Sequence, residues 1–192
     1  MAQVLNKFYE SKVIKNIKLK KLQSQKKLCL ILDLDHTLVH TIAAVKRGDN
    51  LRRPAGTFRN ADIFRRKFKG VEHMTKLRPF VRKFLKEASN LFEMYIYTLG
   101  SREYALGMAS ILDPRGVYFG SRIISSEDST EVNGKSLDVL PDVDESFVLI
   151  LDDLDVVWPK YLCNLILMKK YVYFSQTGSS NETIKVFRDE YI

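Results

Sequence analysis

The sequence predicts an α/β domain built on an open, mostly parallel β-sheet with helices on both faces and a basic insertion after the first strand. Apolar runs of strand length recur at Leu28-Cys29-Leu30-Ile31-Leu32, Phe92-Glu93-Met94-Tyr95-Ile96-Tyr97 and Phe147-Val148-Leu149-Ile150-Leu151. Runs with little or no alternation suit strands buried on both faces of a parallel sheet. Helical spacing lies between the first two runs and again after the second, and alternating strands and helices favour this architecture. Each run is also followed at once by a residue able to do chemistry: Asp33, Thr98, and Asp152 with Asp153. Ligands of open parallel sheets sit beyond the carboxyl ends of the strands, where the winding order reverses.

The 192 residues, 45% hydrophobic and 28% charged, fit one globular domain. Residues 1–27 are polar and basic with no clear apolar period, and read as a helical or loose arm; residues 28–192 read as the folded domain. No apolar run approaches the roughly 20 residues that span a bilayer, and the first residues lack a signal-peptide core, so an intracellular protein with no membrane partner is expected. Cys29 and Cys163, far apart in apolar runs, read as two buried thiols and not as a disulfide or metal framework. A net charge of +8 and a pI near 9.4 favour an acidic partner, either nucleic acid or phosphoprotein. The basic stretches 15–27 and 46–69 lack the aromatic interleaving of a single-strand-binding surface, so direct nucleic-acid binding is not expected. The first stretch would also serve as a nuclear import signal.

After the first strand, residues 41–71 turn basic and irregular around Gly48, Pro54, Gly56 and Gly70, which predicts an insertion of hairpins or loops. Phe80, Val81, Phe84, Leu85 and Ala88 then recur at helical spacing, with Pro79 suited to the first turn. Ser101 is placed to cap a helix through Leu112, with Glu103 in its first turn and Asp113-Pro114 ending it. Strand character reappears at 117–124, Asn133-Gly134 marks a turn, and 164–169 and 171–174 read as closing strands. Trp158, Tyr161 and the aromatic stripe at 171–174 read as core.

Asp33, Asp35 and Thr37 stand in Asp-Leu-Asp-His-Thr at the end of the first strand. Two carboxylates this close stay charged cheaply only if a cation lies between them. Magnesium, a hard ion that takes oxygen ligands and is held by one or two carboxylates plus substrate phosphate, answers that need, and Asp152 and Asp153 would complete the site. A carboxylate can attack phosphorus to form an aspartyl-phosphate, and Asp33 is placed for that role. Asp35 would protonate the departing oxygen and then take a proton from the hydrolytic water. Charge on the transferring phosphoryl group needs donors and cations, for which the Thr98 hydroxyl and Lys135, after the Asn-Gly turn, are the candidates. Singly, each residue has a plainer reading. An Asp-x-Asp is commonly a turn or cap, Asp152-Asp153 an Asx turn, Thr98 a cap and Lys135 a solvated turn residue. His36 reads as packed or hydrogen-bonded near its own position.

The run Leu-Ile-Leu-Asp-Leu-Asp-His-Thr-Leu-Val-His resembles the signature of the phosphatases that act on the C-terminal domain of RNA polymerase II, within the haloacid dehalogenase superfamily. The likeness continues through Lys76-Leu77-Arg78-Pro79-Phe80, Tyr95-Ile96-Tyr97-Thr98-Leu99-Gly100-Ser101-Arg102-Glu103-Tyr104-Ala105, Leu112-Asp113-Pro114, Arg122-Ile123-Ile124-Ser125, Leu151-Asp152-Asp153 and Val157-Trp158-Pro159. It ends with Asn164-Leu165 and Tyr171-Val172-Tyr173-Phe174, and so covers 28–174. Several ordered motifs on one chain are far more specific than any one of them. The resemblance implies a Rossmann-like, haloacid dehalogenase-like fold and a magnesium-dependent protein serine/threonine phosphatase of the nucleus. It further implies Asp33 as nucleophile and Asp35 as general acid and base, with the Asp35 backbone carbonyl also facing magnesium. Thr98 and Lys135 would hold phosphate, Asp153 would ligate the metal with Asp152 beside it, and Thr37 would steady the nucleophile loop. The implied substrate is phosphoserine in the polymerase heptad repeats. Where the family commonly has an arginine after Arg-Ile-Ile-Ser, this chain has Ser126. That departure, with the basic insertion, motivates the alternative of a phosphopeptide-binding module without catalysis.

Overall fold

The computed structural model describes residues 13–43, apart from 16 and 23, and residues 63–174. A five-stranded parallel sheet forms its centre, in the order β6-β5-β1-β7-β8. Its strands are β1 (Leu28–Leu32), β5 (Phe92–Tyr97), β6 (Ile123–Ile124), β7 (Val148–Asp152) and β8 (Leu165–Leu167). A three-stranded antiparallel sheet, ordered β2-β4-β3, lies in the insertion, with β2 (Val39–Ala43), β3 (Ile63–Phe68) and β4 (Val71–Leu77). The basic insertion therefore includes a strand pair closed by Lys69 and Gly70, both at positive φ (47° and 79°), as a two-residue hairpin of mirror-image turn type requires. The centre of the insertion, including Gly48, Pro54 and Gly56, lies outside the described residues.

β1 is paired on both sides, with Leu32 opposite Ile96 of β5 and opposite Leu151 of β7. The chain winds outward from β1 through β5 to β6, then returns to the other side for β7 and β8. The reversal puts the carboxyl ends of β1, β5 and β7 around one crevice. Period-two alternation gives the sheet two cores. Leu30, Leu32, Met94 and Ile96 face one, while Cys29, Ile31, Tyr95, Tyr97, Val148 and Ile150 face the other.

Both helices that connect strands, Val81–Ala88 and Arg102–Leu112, cover the first face, through Val81, Leu85 and Ala88 and through Met108, Ile111 and Leu112. Two successive right-handed crossovers in the same direction put both helices on one side. The second face is covered differently, by Leu22 from the helical residues 17–22 and by short turns carrying Leu137, Val157, Trp158 and Tyr161. Leu22 is buried although it precedes the first strand, and Lys18 nearby pairs with Glu93 and donates to Tyr95 Oη at 3.1 Å.

The helix after Arg78-Pro79 begins one residue later than its apolar spacing suggests. Phe80 adopts a left-handed conformation (φ 63°) outside the helix and is 73% exposed, so only Val81, Leu85 and Ala88 carry the buried stripe. The second helix agrees with expectation: Ser101 Oγ accepts from the Tyr104 N–H at 3.4 Å, and Asp113 ends the helix. The strand expected over 117–124 shrinks to Ile123–Ile124. The cause is the buried Asp113 carboxylate, which accepts from the N–H groups of Val117, Tyr118 and Phe119 at 3.0, 2.7 and 3.0 Å, so these donors are withdrawn from any ladder. Cys29 is buried as expected, but Cys163 is exposed on the turn Leu162–Asn164. No described helix is long and apolar enough to cross a membrane.

Residues 171–174 form a strap in place of a regular strand. Tyr171 N–H donates to His36 O at 2.7 Å, and the N–H groups of Tyr173 and Phe174 both donate to His40 Nδ1, at 2.9 and 3.0 Å. His40 must be neutral to accept them. Its burial, with His36 and Lys170 adding to it, pushes its pKa from 6.5 down to about 4. The sign follows by linkage: the unfolded chain takes up a proton below pH 6.5 that the native imidazole refuses until about pH 4. His40 therefore costs no stability above pH 6.5 and an increasing amount as pH falls toward 4. Thermal unfolding between pH 7 and 5 should show wild type losing more stability than His40→Asn, whose side-chain oxygen can still accept but cannot titrate; parallel curves would contradict this.

Candidate active site

Asp33 directly follows β1, its N–H donating to Leu151 O at 3.0 Å, so the backbone of the neighbouring strand fixes its position. The chain then curls tightly. The N–H groups of Thr37, Leu38 and Val39 all point to Leu34 O, at 3.2, 2.8 and 3.0 Å, and His36 N–H donates to Val39 O at 2.7 Å. His36 pays for this turn with φ of 64°, unusual for a residue bearing a Cβ. The curl buries Thr37 completely and returns Asp35 toward the helix after β5. His36 Nδ1 meets Tyr171 O at 2.9 Å, so its partner lies on the distant strap and not nearby in sequence.

Lys135 enters from the crossing between β6 and β7. Asn133 supplies a positive φ of 57° in the preceding turn, and Lys135 N–H is anchored on Val157 O at 2.8 Å. Its side chain is 2% exposed, and Nζ lies 2.6 Å from both Asp33 Oδ1 and Asp152 Oδ2. The faces of Tyr97 and Trp158 flank the ammonium, each at 5.7 Å. Asp152 ends β7 with both oxygens engaged. Oδ1 accepts from Leu154 N–H at 2.9 Å, and Oδ2 accepts from Lys135 and from Trp158 Nε1–H at 2.9 Å.

Asp153 is held more loosely, with Thr37 Oγ1 donating to Oδ1 across 3.4 Å. Its Oδ2 is buried with no hydrogen-bond partner among the described residues. A buried carboxylate oxygen left in that state is costly, so it needs a cation or other ligand to be explained. One oxygen each from Asp33, Asp152 and Asp153 lies within 4.8 Å of the others. Three carboxylates, all hard oxygen donors and one of them unsatisfied, fit a divalent cation such as magnesium. Asp35 contributes no side-chain oxygen to this group; its carboxylate turns the other way, to Tyr104.

Burial pushes the Asp33 carboxyl up to about 7, against the pull of Lys135 and with Asp152 adding to the rise. Burial opposes the charge on Lys135, yet the Asp33 and Asp152 carboxylates together hold its ammonium above the usual lysine range. Burial also raises the Asp35 carboxyl, with the Tyr104 hydrogen bond acting in the opposite direction. A raised carboxyl pKa is the direction that a general acid needs.

Thr98 follows β5 and is buried, its N–H donating to Ile124 O at 3.0 Å and its Oγ1 accepting from Gly100 N–H at 3.0 Å. Among the described residues no acceptor takes the Thr98 hydroxyl hydrogen. Ser126 N–H donates to Gly100 O at 3.0 Å, which puts the departure from the family arginine beside the Thr98 loop.

Three supporting residues escape a reading of the sequence. Trp158 reads as core, and it is fully buried, but its indole N–H also fixes Asp152. Arg78 donates from Nη1 to Thr37 O and from Nη2 to Lys169 O, both at 3.0 Å, tying the curl after β1 to the strap. Tyr104 donates to Asp35. A Trp six residues beyond Asp152 and the motif Lys-Leu-Arg-Pro were the available signals; neither reveals its partner without a fold.

Comparison with known proteins finds relatives over most of the chain. Residues 28–187 match the family model described as NLI interacting factor-like phosphatase. The chain is 47% identical over 165 residues to RNA polymerase II C-terminal domain phosphatase-like 4 of Arabidopsis thaliana, an alignment covering 81% of this chain and 37% of that protein. It is 34% identical over 182 residues to an RNA polymerase II C-terminal domain phosphatase of Schizosaccharomyces pombe, covering 90% of this chain and 25% of the relative. The chain thus spans little more than a third, or less, of the length of these relatives. The solved structure of Fcp1, an essential RNA polymerase II CTD phosphatase, superposes with a TM-score of 0.72 at 30% identity, covering 85% of this chain and 47% of that one.

Proposed function

Because this chain belongs to the NLI interacting factor-like phosphatase family, we propose that it is a magnesium-dependent protein serine/threonine phosphatase. It acts through an aspartyl-phosphate on Asp33, with phosphoserine of the RNA polymerase II C-terminal domain, in the nucleus, as its substrate. The observation that carries this reading is the meeting of Asp33, Asp152 and Asp153, from the ends of β1 and β7, with Lys135 from the crossing before β7, and a buried carboxylate oxygen left unsatisfied among the described residues. The substrate follows from the relatives, which are phosphatases of that polymerase domain.

In this reading an Asp33 oxygen forms a bond to phosphorus as the bond from phosphorus to serine oxygen breaks, and the Asp35 carboxyl gives its proton to that oxygen. Water then attacks the phosphorus, Asp35 takes back a proton, and Asp33 is released. Thr98 and Lys135 hold the phosphoryl oxygens by hydrogen bond and charge. Asp33, Asp152 and Asp153 would hold magnesium, whose charge would offset that of the phosphate and of the crowded carboxylates. Thr37 braces Asp153, and Arg78 braces the Thr37 carbonyl.

Phosphate release from heptad peptides phosphorylated at single serines tests the reading. Turnover should appear with magnesium, vanish with a chelator and return when magnesium is restored. Tight peptide binding without turnover at saturating magnesium would overturn it in favour of a binding module, and turnover indifferent to chelation would overturn the metal.

A further inference from the structure

Asp35 is the one acid of the site that lies outside the carboxylate group around Asp33, and the structure shows what holds it. Tyr104 Oη donates to Asp35 Oδ1 at 2.6 Å and lies 2.9 Å from Thr41 Oγ1. Thr41 Oγ1 in turn lies 3.0 Å from Thr75 Oγ1. A continuous line of hydroxyls therefore runs from the carboxylate into paired strands β2 and β4 of the antiparallel sheet. No hydrogen bond to the other Asp35 oxygen, Oδ2, is formed by the described residues.

The tyrosine ring is fixed from both sides. Phe68 of β3 packs edge-on against it, with ring centroids 5.2 Å apart, and a Cβ at Gly100 would come within 2.6 Å of its Cδ1. The loop after Thr98 thus passes Tyr104 at a distance only glycine allows. Phe68 is itself set by Gly107, where a Cβ would meet the Phe68 ring at 2.3 Å. Two glycines and one aromatic from the insertion aim a single hydroxyl at Asp35.

We propose that Tyr104 is a positioning residue for the Asp35 carboxyl, and that through Tyr104 and Thr41 the antiparallel sheet keeps this group in line with the departing oxygen. This rests on Asp35 acting as the general acid, as proposed above. By occupying Oδ1, the tyrosine leaves Oδ2 to carry the proton to the leaving group. Without that bond the carboxyl is free to rotate about its last torsion, and the proton is delivered from a scattered set of positions. Misplacement of this kind penalises the step that needs the proton and leaves binding unchanged.

The proposal predicts a loss that depends on the leaving group. Wild type, Tyr104→Phe and Thr41→Val are compared on 2,4-dinitrophenyl phosphate, phenyl phosphate and a phosphoserine peptide, with Asp33→Asn as the control. Dinitrophenolate leaves without protonation, whereas a serine alkoxide does not. Tyr104→Phe should lower kcat/KM on the phosphoserine peptide by about ten- to a hundredfold, a part of the range of general acid catalysis. It should change kcat/KM for the dinitrophenyl ester by less than about threefold, because kcat/KM extends only to departure of the leaving group and excludes the later hydrolysis, in which Asp35 serves every ester alike. Thr41→Val should repeat the pattern with smaller amplitude.

An equal loss of kcat/KM on all three esters would overturn the proposal, because a merely structural role does not sense the leaving group. If Tyr104→Phe does not fold, the Thr41→Val series decides in the same way. Absence of Asp33-dependent turnover in wild type would sink the phosphatase reading itself. Asp33-dependent turnover with a flat Tyr104→Phe profile would sink only the positioning role.

Discussion

Asp33→Asn is expected to abolish phosphate release while leaving the fold intact. The amide is nearly isosteric, and its oxygen can still accept from Lys135 as Asp33 Oδ1 does now at 2.6 Å. What it lacks is a nucleophilic oxygen able to form the acyl phosphate, so turnover should fall by at least about four orders of magnitude. Stability should move the other way. Burial and Asp152 push the Asp33 carboxyl up to about 7, against an ordinary value of 3.8. The native state without metal therefore holds a proton that the unfolded chain has already released, and stability falls as pH rises from 3.8 toward 7. Removing the ionisable group removes that cost, so in chelator at pH 8 the variant should unfold at a higher temperature than wild type. Residual turnover within tenfold of wild type would reject Asp33 as the nucleophile; a lower unfolding temperature at pH 8 would reject the electrostatic account.

Lys135→Met should be the most damaging single substitution to the protein without metal. Lys135 is the cation between Asp33 and Asp152, its side chain is 2% exposed, and no second cation contacts either carboxylate among the described residues. Removing one partner from a buried ion pair costs about 3–5 kcal/mol, because the remaining charge is left uncompensated. Here two carboxylates would face each other. Denaturant unfolding in chelator should show the deficit growing as pH rises through about 7, where the Asp33 carboxyl is forced to ionise, and shrinking when magnesium is added. Activity should fall as well, by about a hundredfold or more even at saturating magnesium, since a donor to the transferring phosphoryl group is gone. A variant as stable as wild type at pH 8 in chelator would show that Lys135 does not balance these acids.

Legibility differed by the range of the cause. β1, β5 and β7 could be read because each must be buried on both faces, and a strand so placed has little room for polar residues. The helix Arg102–Leu112 could be read because Ser101 and Asp113 act within one turn of it. Residues 117–122 misled because the Asp113 side chain takes their donors, a competition that composition does not show. The strap at 171–174 misled because its amide partners are an imidazole 133 or 134 residues earlier. Phe80 fits a helical apolar stripe yet stands outside the helix, since spacing does not report backbone handedness.

The sequence by itself determined the parallel sheet, the strand ends from which Asp33, Thr98 and Asp152-Asp153 emerge, and the kind of chemistry those groups can perform. These follow from local periodicity and residue type. Only the tertiary structure decided which groups touch: Lys135 between Asp33 and Asp152, Trp158 on Asp152, Tyr104 on Asp35, and Asp153 Oδ2 without a partner among the described residues. The physical reason is that a hydrogen bond depends on distances of a few tenths of an ångström across elements tens of residues apart. That precision arises from the packing of the whole core and is written in no single segment of the chain.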